Sequence, residues 1–185
     1  MLNVQERKLT LDEFHAFCEL PENRDRLFEL IDGEIVEKMA SFEPSTIAAE
    51  VIFQFKLWLK SHPIGRVTAP DGSYILANKQ ELIPDVGYIS KERMPVIPVR
   101  EALVAPDMAV EVKSPTDSKR EMRRKAELYL AHGTKIVWLV FPDTQIVEVY
   151  MADRDVIEVG IDGVLDGGDV LPGFTLAVRA LFEEA

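Results

Sequence analysis

Cysteine is almost missing: Cys18 is the only one in 185 residues. No intrachain disulfide can form, and neither a four-cysteine zinc site nor a disulfide-stapled scaffold can be built. Long apolar runs are missing too. The longest is Ile136-Val137-Trp138-Leu139-Val140-Phe141, far short of the roughly 20 residues a membrane-spanning helix needs. The first residues, Met1-Leu2-Asn3-Val4-Gln5-Glu6-Arg7-Lys8, lack the apolar stretch of a secretory signal. The expectation is a cytoplasmic protein with no membrane partner. There is no Gly-rich phosphate loop, no Gly-x-Ser-x-Gly elbow and no His-Glu-x-x-His, which leaves nucleotide hydrolysis, serine hydrolysis and zincin chemistry without support. Positive charge is also scarce. The net charge of −11 argues against a protein held to nucleic acid by bulk electrostatics alone.

What is present describes a folded domain. Hydrophobic residues make up 47% and charged residues 29%, and the length suits one domain over residues 1–185 with a sizeable core. The charge is uneven. From residue 141 onward 10 acidic residues face 2 basic ones. Between Lys113 and Lys125 the balance reverses, with Lys113, Lys119, Arg120, Arg123, Arg124 and Lys125 against Asp117 and Glu121. A solvated helix face explains such a patch, and so does a surface for a phosphate backbone.

The order of elements can be read from periodicity. Thr10 and Glu13 form a capping box that opens a short helix, which Pro21 ends. Its apolar residues, Cys18 among them, share one face. Leu27–Ile31 and Glu34–Met39 flank Asp32-Gly33, a hairpin signature. Residues 1–40 are therefore expected to form an N-terminal helix and hairpin. From Pro44 a long helix carries Ile47, Val51, Phe55, Trp58 and Leu59 on one stripe. Strands are expected at 67–69, 73–77, 82–89 and 108–113, a helix over 117–132 ended by Gly133, and strands at 135–141 and 145–150. The expected core spans 44–141, with strands and turns over 142–185. The strand–helix–strand passage across 108–141 predicts a right-handed parallel crossover, and the earlier strands read as antiparallel. The fold class is a mixed α/β sheet with helices against both sides.

One constellation carries chemistry. Pro84-Asp85 sits in one predicted strand and Glu111-Val112-Lys113 on a later one. Residues two apart on a strand share a face, so Glu111 and Lys113 project together while Val112 turns away. If the two strands are neighbours, Asp85 and Glu111 converge. Two hard carboxylates and a backbone carbonyl, that of Val112, would suit Mg²⁺ or Mn²⁺. A lysine beside such an ion could orient the attacking water and stabilise charge on a phosphate. Charges alternating with valines also describe any half-exposed strand. His15, His62 and His132 lack ligand spacing and read as surface or helix-end residues.

Pro84-Asp85 followed by Glu111-Val112-Lys113 resembles the motif of the PD-(D/E)XK nuclease superfamily, whose core is α-β-β-β-α-β. More closely, the chain is similar to a bacterial family known as "putative restriction endonucleases". That resemblance runs through Phe28–Glu37, Ile83–Ile89, Pro106–Pro115, Lys125–Tyr129, Gly133 and Val137–Asp143, and covers roughly residues 10–180. It implies a restriction-endonuclease-like fold and a Mg²⁺- or Mn²⁺-dependent endonuclease that leaves a 5′-phosphate and a 3′-hydroxyl. Asp85 and Glu111 would be metal ligands, Lys113 the catalytic lysine, and Glu29 a further acidic residue at the site. Lys125 would face the site or the phosphate backbone. Lys119, Arg120, Arg123, Arg124 and Lys125 would hold nucleic acid, DNA before RNA, and a homodimer would suit cutting both strands. The family often carries a histidine near the start of the long helix, and this chain has none. A non-catalytic binding module on the same scaffold, or a hydrolase of another phosphate ester, would use the same fold.

Overall fold

A computed structural model describes residues 8–183. Helix α1 (Leu11–Cys18) opens on the Thr10–Glu13 capping box. Strands β1 (Phe28–Ile31) and β2 (Glu34–Glu37) pair antiparallel. Asp32 and Gly33 both take positive φ, 52° and 77°, as the tight turn of a two-residue hairpin requires. Helix α2 (Phe42–Leu59) follows, with Pro44 in its first turn, where a missing N–H costs nothing. Next come β3 (Gly65–Thr68), β4 (Tyr74–Ala77), β5 (Gln80–Leu82), β6 (Val86–Ser90) and β7 (Met108–Val112). Helix α3 (Lys119–Ala131), β8 (Ile136–Phe141), β9 (Ile146–Met151), β10 (Ile157–Val159), β11 (Val164–Asp166) and β12 (Thr175–Ala177) follow, and a 3-10 turn over Val178–Leu181 is the last element among the described residues.

The strands form a six-stranded sheet in the order β10-β9-β8-β7-β6-β3, a four-stranded sheet β2-β1-β5-β4 and the pair β11-β12. Strands β3, β6 and β7 are antiparallel neighbours, and β7 joins β8 in parallel through α3. The sequence α2-β3-β6-β7-α3-β8 is thus the expected α-β-β-β-α-β core. The expectation of one continuous strand over 82–89 does not hold. Ile83-Pro84-Asp85 separates β5 from β6, and the two strands belong to different sheets. Pro84 offers no N–H to a ladder, so the chain can leave one sheet and enter the next at that point. The N-terminal hairpin does not stand apart either. It pairs through β1 with β5, Leu30 opposite Glu81.

The six-stranded sheet is apolar on both faces. One face carries Val86, Tyr88, Val110, Val112, Trp138 and Val140 against α2 and the C-terminal segment. Phe55 meets Trp138 and Phe174 edge-on, with ring centroids 5.9 and 5.1 Å apart. The other face carries Ala109, Val137, Leu139 and Phe141 against Met122, Ala126 and Tyr129 of α3, and is closed at one end by Ile31 and Leu82 of the smaller sheet. The central strands β7 and β8 are buried along their whole length, and packing on both faces holds their ends in place. Glu111 points into that second face. Asp107, one residue before β7, serves structure. Burial would raise its pKa, but the Ser90 N–H at 2.8 Å and the Arg93 guanidinium at 3.1 Å outweigh burial and hold it low.

Candidate active site

The polar centre of the molecule lies where the two sheets and α3 meet. Asp85 sits in the break just before β6. Because Val86 pairs with Val110, the antiparallel register sets Asp85 opposite Glu111. Asp85 Oδ2 accepts the Val112 N–H at 2.8 Å, and Oδ1 accepts from Lys38 Nζ at 2.9 Å. Lys38 Nζ also donates to the Ile83 carbonyl at 2.6 Å. Glu111 Oε1 accepts the Tyr129 hydroxyl at 2.9 Å and lies 2.7 Å from Lys125 Nζ. Lys125 Nζ reaches on to both oxygens of Glu29, at 2.9 and 3.1 Å. Glu29 Oε1 in turn accepts the Ile83 N–H at 2.8 Å. Three carboxylates and two ammonium groups thus form two ion-paired groups, Lys38–Asp85 and Glu29–Lys125–Glu111, joined through the Ile83 main chain.

The geometry explains the electrostatics. Glu111 is 5% exposed and Glu29 2%. Burial pushes Glu111 up to about 7, against the lowering pull of Lys125 and Lys38, while Asp85 and Glu29 add repulsion. Burial would discharge Lys125, yet Glu111 and Glu29 outweigh it and raise its pKa above the ordinary lysine value. Lys38 is raised as well: Glu111 and Asp85 together outweigh burial and the repulsion from Lys125. Tyr129 is raised by burial and by Glu111, so it remains a hydrogen-bond donor.

Two oxygens are left over by these contacts. Among the described residues, no hydrogen bond reaches Glu111 Oε2. The main-chain N–H and C=O of one strand residue point to the same edge. Since the Val112 N–H points to Asp85, its carbonyl turns the same way. The fold therefore anchors Glu111 through Oε1 and Asp85 through Oδ2, turns Glu111 Oε2 and the Val112 carbonyl toward the same place, and covers Asp85 Oδ1 with the Lys38 ammonium. That set of hard oxygen donors fits a Mg²⁺- or Mn²⁺-type ion.

The remaining site residues are placed as follows. Lys113 lies one step past β7 on the strand face of Glu111, and its Nζ donates to the Ser114 carbonyl at 3.3 Å rather than to a carboxylate. Lys119, Arg120, Arg123 and Arg124 line an open recess on α3 with Glu127. Three of these four have other partners. Arg123 binds Glu148, Arg124 binds Asp32, and Lys119 lies 4.8 Å over the Phe141 ring. Arg120 has no side-chain partner among the described residues. Glu50 Oε1 accepts from Gln54 Nε2 at 2.7 Å, within its own helix.

Sequence reasoning overlooked Lys38 and assigned Tyr129 no role of its own. Tyr129 was accessible from its spacing, four residues after Lys125 on one helix face. Lys38 offered no such clue, because its partner lies 47 positions away. His15 stands in the last turn of α1, the helix-end place expected of it, and also meets an acid. Its Nε2 lies 2.7 Å from Glu81 Oε2, and ligand atoms of His15, Glu81 and Glu101 all fall within 4.8 Å of one another. Glu81 is paired opposite Leu30, so this group lies on the α1 face of the small sheet, away from Glu29.

A family model described as "Uma2: Putative restriction endonuclease" matches residues 11–179. The chain belongs to the Uma2 family. Among solved structures it is similar to the crystal structure of a "putative nuclease belonging to DUF820" from Anabaena variabilis, with 27% identity and a TM-score of 0.82. The alignment covers 94% of this chain and 97% of that one. None of the curated proteins compared with the chain matches it. The Uma2 match spans every contact of the site just described, from Glu29 to Tyr129, and the mixed α/β fold is that of its nuclease-like neighbour. No helix among the described residues is long and apolar enough to cross a membrane.

Proposed function

We propose that this Uma2 protein is a divalent-metal-dependent nuclease that hydrolyses DNA phosphodiesters. The observation that carries this reading is the meeting of Asp85 and Glu111 at the mouth of the six-stranded sheet, each with one oxygen anchored by the fold. Asp85, Glu111 and the Val112 carbonyl would hold Mg²⁺ or Mn²⁺. Such an ion, when bound, polarises the phosphate and lowers the pKa of a bound water. Lys113 stands beside this place with a single 3.3 Å contact to give up, and its ammonium can orient the water or neutralise a phosphate oxygen. Glu29 and Lys125 brace Glu111 from behind. Water would add to phosphorus in line as the P–O3′ bond breaks, losing a proton to solvent while the departing 3′ oxygen takes one up, which gives a 5′-phosphate and a 3′-hydroxyl. Arg120, with no side-chain partner among the described residues, is the first group on α3 to meet the backbone; Lys119 and Arg124, both on the surface, follow.

Mn²⁺ calorimetry on wild type, Asp85→Ala and Glu111→Ala tests the metal centre, and a cleavage screen on single- and double-stranded DNA and RNA tests the activity. Binding lost in both variants, with metal-dependent cleavage of DNA, is the expected result. One observation favours a second reading: Lys38 and Lys125 already pair with all three carboxylates and leave a single formal negative charge, as a metal-free binding module could tolerate. That module predicts phosphate binding that persists in Glu111→Ala and needs no divalent ion.

A further inference from the structure

The two buried lysines of the site differ in how they are held. Lys125 projects from the middle of α3, is 13% exposed, and touches three carboxylate oxygens on two strands. It is a fixed counter-ion. Lys38 lies one residue past the end of β2, in the segment that leads to α2. Its side chain is 19% exposed, and its ammonium rests on one carboxylate oxygen and one carbonyl. Its main chain is held separately, by the Lys38 N–H to the Leu27 carbonyl at 2.9 Å. The side chain can therefore turn without unpicking the hairpin.

The place Lys38 occupies matters. Val112 N–H already holds Asp85 Oδ2, so Oδ1 is the Asp85 oxygen left to a metal, and Lys38 Nζ sits on it at 2.9 Å. A Mg²⁺-type ion binds oxygen at about 2.1 Å. Two cations sharing that oxygen would be no more than about 5 Å apart in a poorly hydrated centre, and they repel strongly. Charge balance points the same way. With both lysines in place, three carboxylates face two ammonium groups; exchanging Lys38 for a divalent ion makes the centre formally neutral.

Resting on the nuclease reading above, we infer that Lys38 is a built-in, exchangeable cation. It occupies the divalent-ion position on Asp85 and moves off, toward solvent or a substrate phosphate, when the ion enters. The site then remains folded and closed to weakly binding cations until a metal competes successfully with the lysine.

The test is Mn²⁺ calorimetry on the full chain without nucleic acid, comparing wild type, Lys38→Met, Lys38→Gln and Asp85→Ala. Thermal unfolding of each protein, with and without Mn²⁺, provides a second readout. Loss of a competing charge should tighten Mn²⁺ binding about tenfold or more in both Lys38 variants, in the range of measured couplings between close charges. Mn²⁺ should then raise their unfolding temperature more than that of wild type. A lysine serving structure alone would give the opposite, equal or weaker binding. Equal or weaker Mn²⁺ binding in both Lys38 variants, with wild-type binding still lost in Asp85→Ala, overturns the exchange and leaves the metal centre standing. Binding in a Lys38 variant but not in wild type supports the exchange in its strongest form. No Mn²⁺ binding by any of the proteins overturns the metal centre and the exchange together. Glutamine keeps a donor for the Ile83 carbonyl, so the comparison survives if methionine at this position fails to fold.

Discussion

Glu111 and Glu148 invite comparison, because the sheet gives them the same neighbours and opposite characters. They lie in one row, on either side of Leu139, two strand spacings or about 10 Å apart. Both are almost wholly buried. Each accepts a tyrosine hydroxyl, from Tyr129 and Tyr150 respectively, and each meets a cation from α3. Yet Glu111 is pushed up to about 7, while Glu148 is held low. For Glu148, burial is outweighed by hydrogen bonds from Arg123 and Tyr150. The difference lies in company and access. Glu111 shares its lysine with Glu29 and faces Asp85 across the strands. Glu148 has Arg123 to itself, on two oxygens, with the guanidinium half in water. One row thus holds a stable ion pair and a frustrated carboxylate. The frustrated one carries an unused oxygen, which marks it as the group ready to receive a cation.

The largest effect expected concerns activity. Glu111→Gln should abolish Mn²⁺ binding and lower cleavage by about a thousandfold or more, since a ligand and its charge are lost together. Glu148→Gln should leave both within about twofold, and equal loss in the two variants would break the comparison. Stability comes next. Lys125→Met leaves Glu29 and Glu111 buried without their counter-ion and should cost about 3–5 kcal/mol at pH 8 in urea unfolding. The cost should shrink near pH 5, where Glu111 is protonated.

The two carboxylates should also tilt the pH profile in opposite directions. Glu111 has a folded pKa above the unfolded value of about 4.3. Its stabilising contribution is therefore complete below that value and is lost as pH rises through about 7. The loss should be on the order of 3–4 kcal/mol, be absent in Glu111→Gln, and be reversed by Mn²⁺. Glu148 has a lowered pKa, so its contribution is present above about pH 4.3 and disappears as pH falls through its folded value. Glu148→Gln should flatten only that acid limb. A pH series of urea midpoints reads both. Arg123→Ala should cost less than Lys125→Met, about 1–2 kcal/mol, because water can enter beside Glu148. The smallest effect is expected at Arg120. Removing one phosphate contact should weaken DNA binding only a few-fold and reduce its salt dependence by about one unit of slope.

Periodicity along the chain was enough for most of the fold. The stripe from Ile47 to Leu59, the Asp32-Gly33 turn, the Thr10–Glu13 cap and the doubly apolar run at 136–141 are local patterns, and they gave the element order and the parallel crossover. Strand alternation placed Glu111 and Lys113 on one face by the same logic. The assignment of strands to sheets was not local. Nothing near Pro84 says that β5 leaves with the N-terminal hairpin while β6 joins the central sheet, because sheet membership depends on which distant edge is free to pair.

The amino-acid sequence by itself determined which residues face inward and where charge interrupts that pattern, because side-chain direction follows from backbone period alone. Only the tertiary structure decided the partners. Lys38 meets Asp85 across 47 residues and Lys125 meets Glu29 across 96, and the basic face of α3 proves largely committed to acids elsewhere. Ion pairing depends on distance and dielectric, and both come into being when the sheets close over α3.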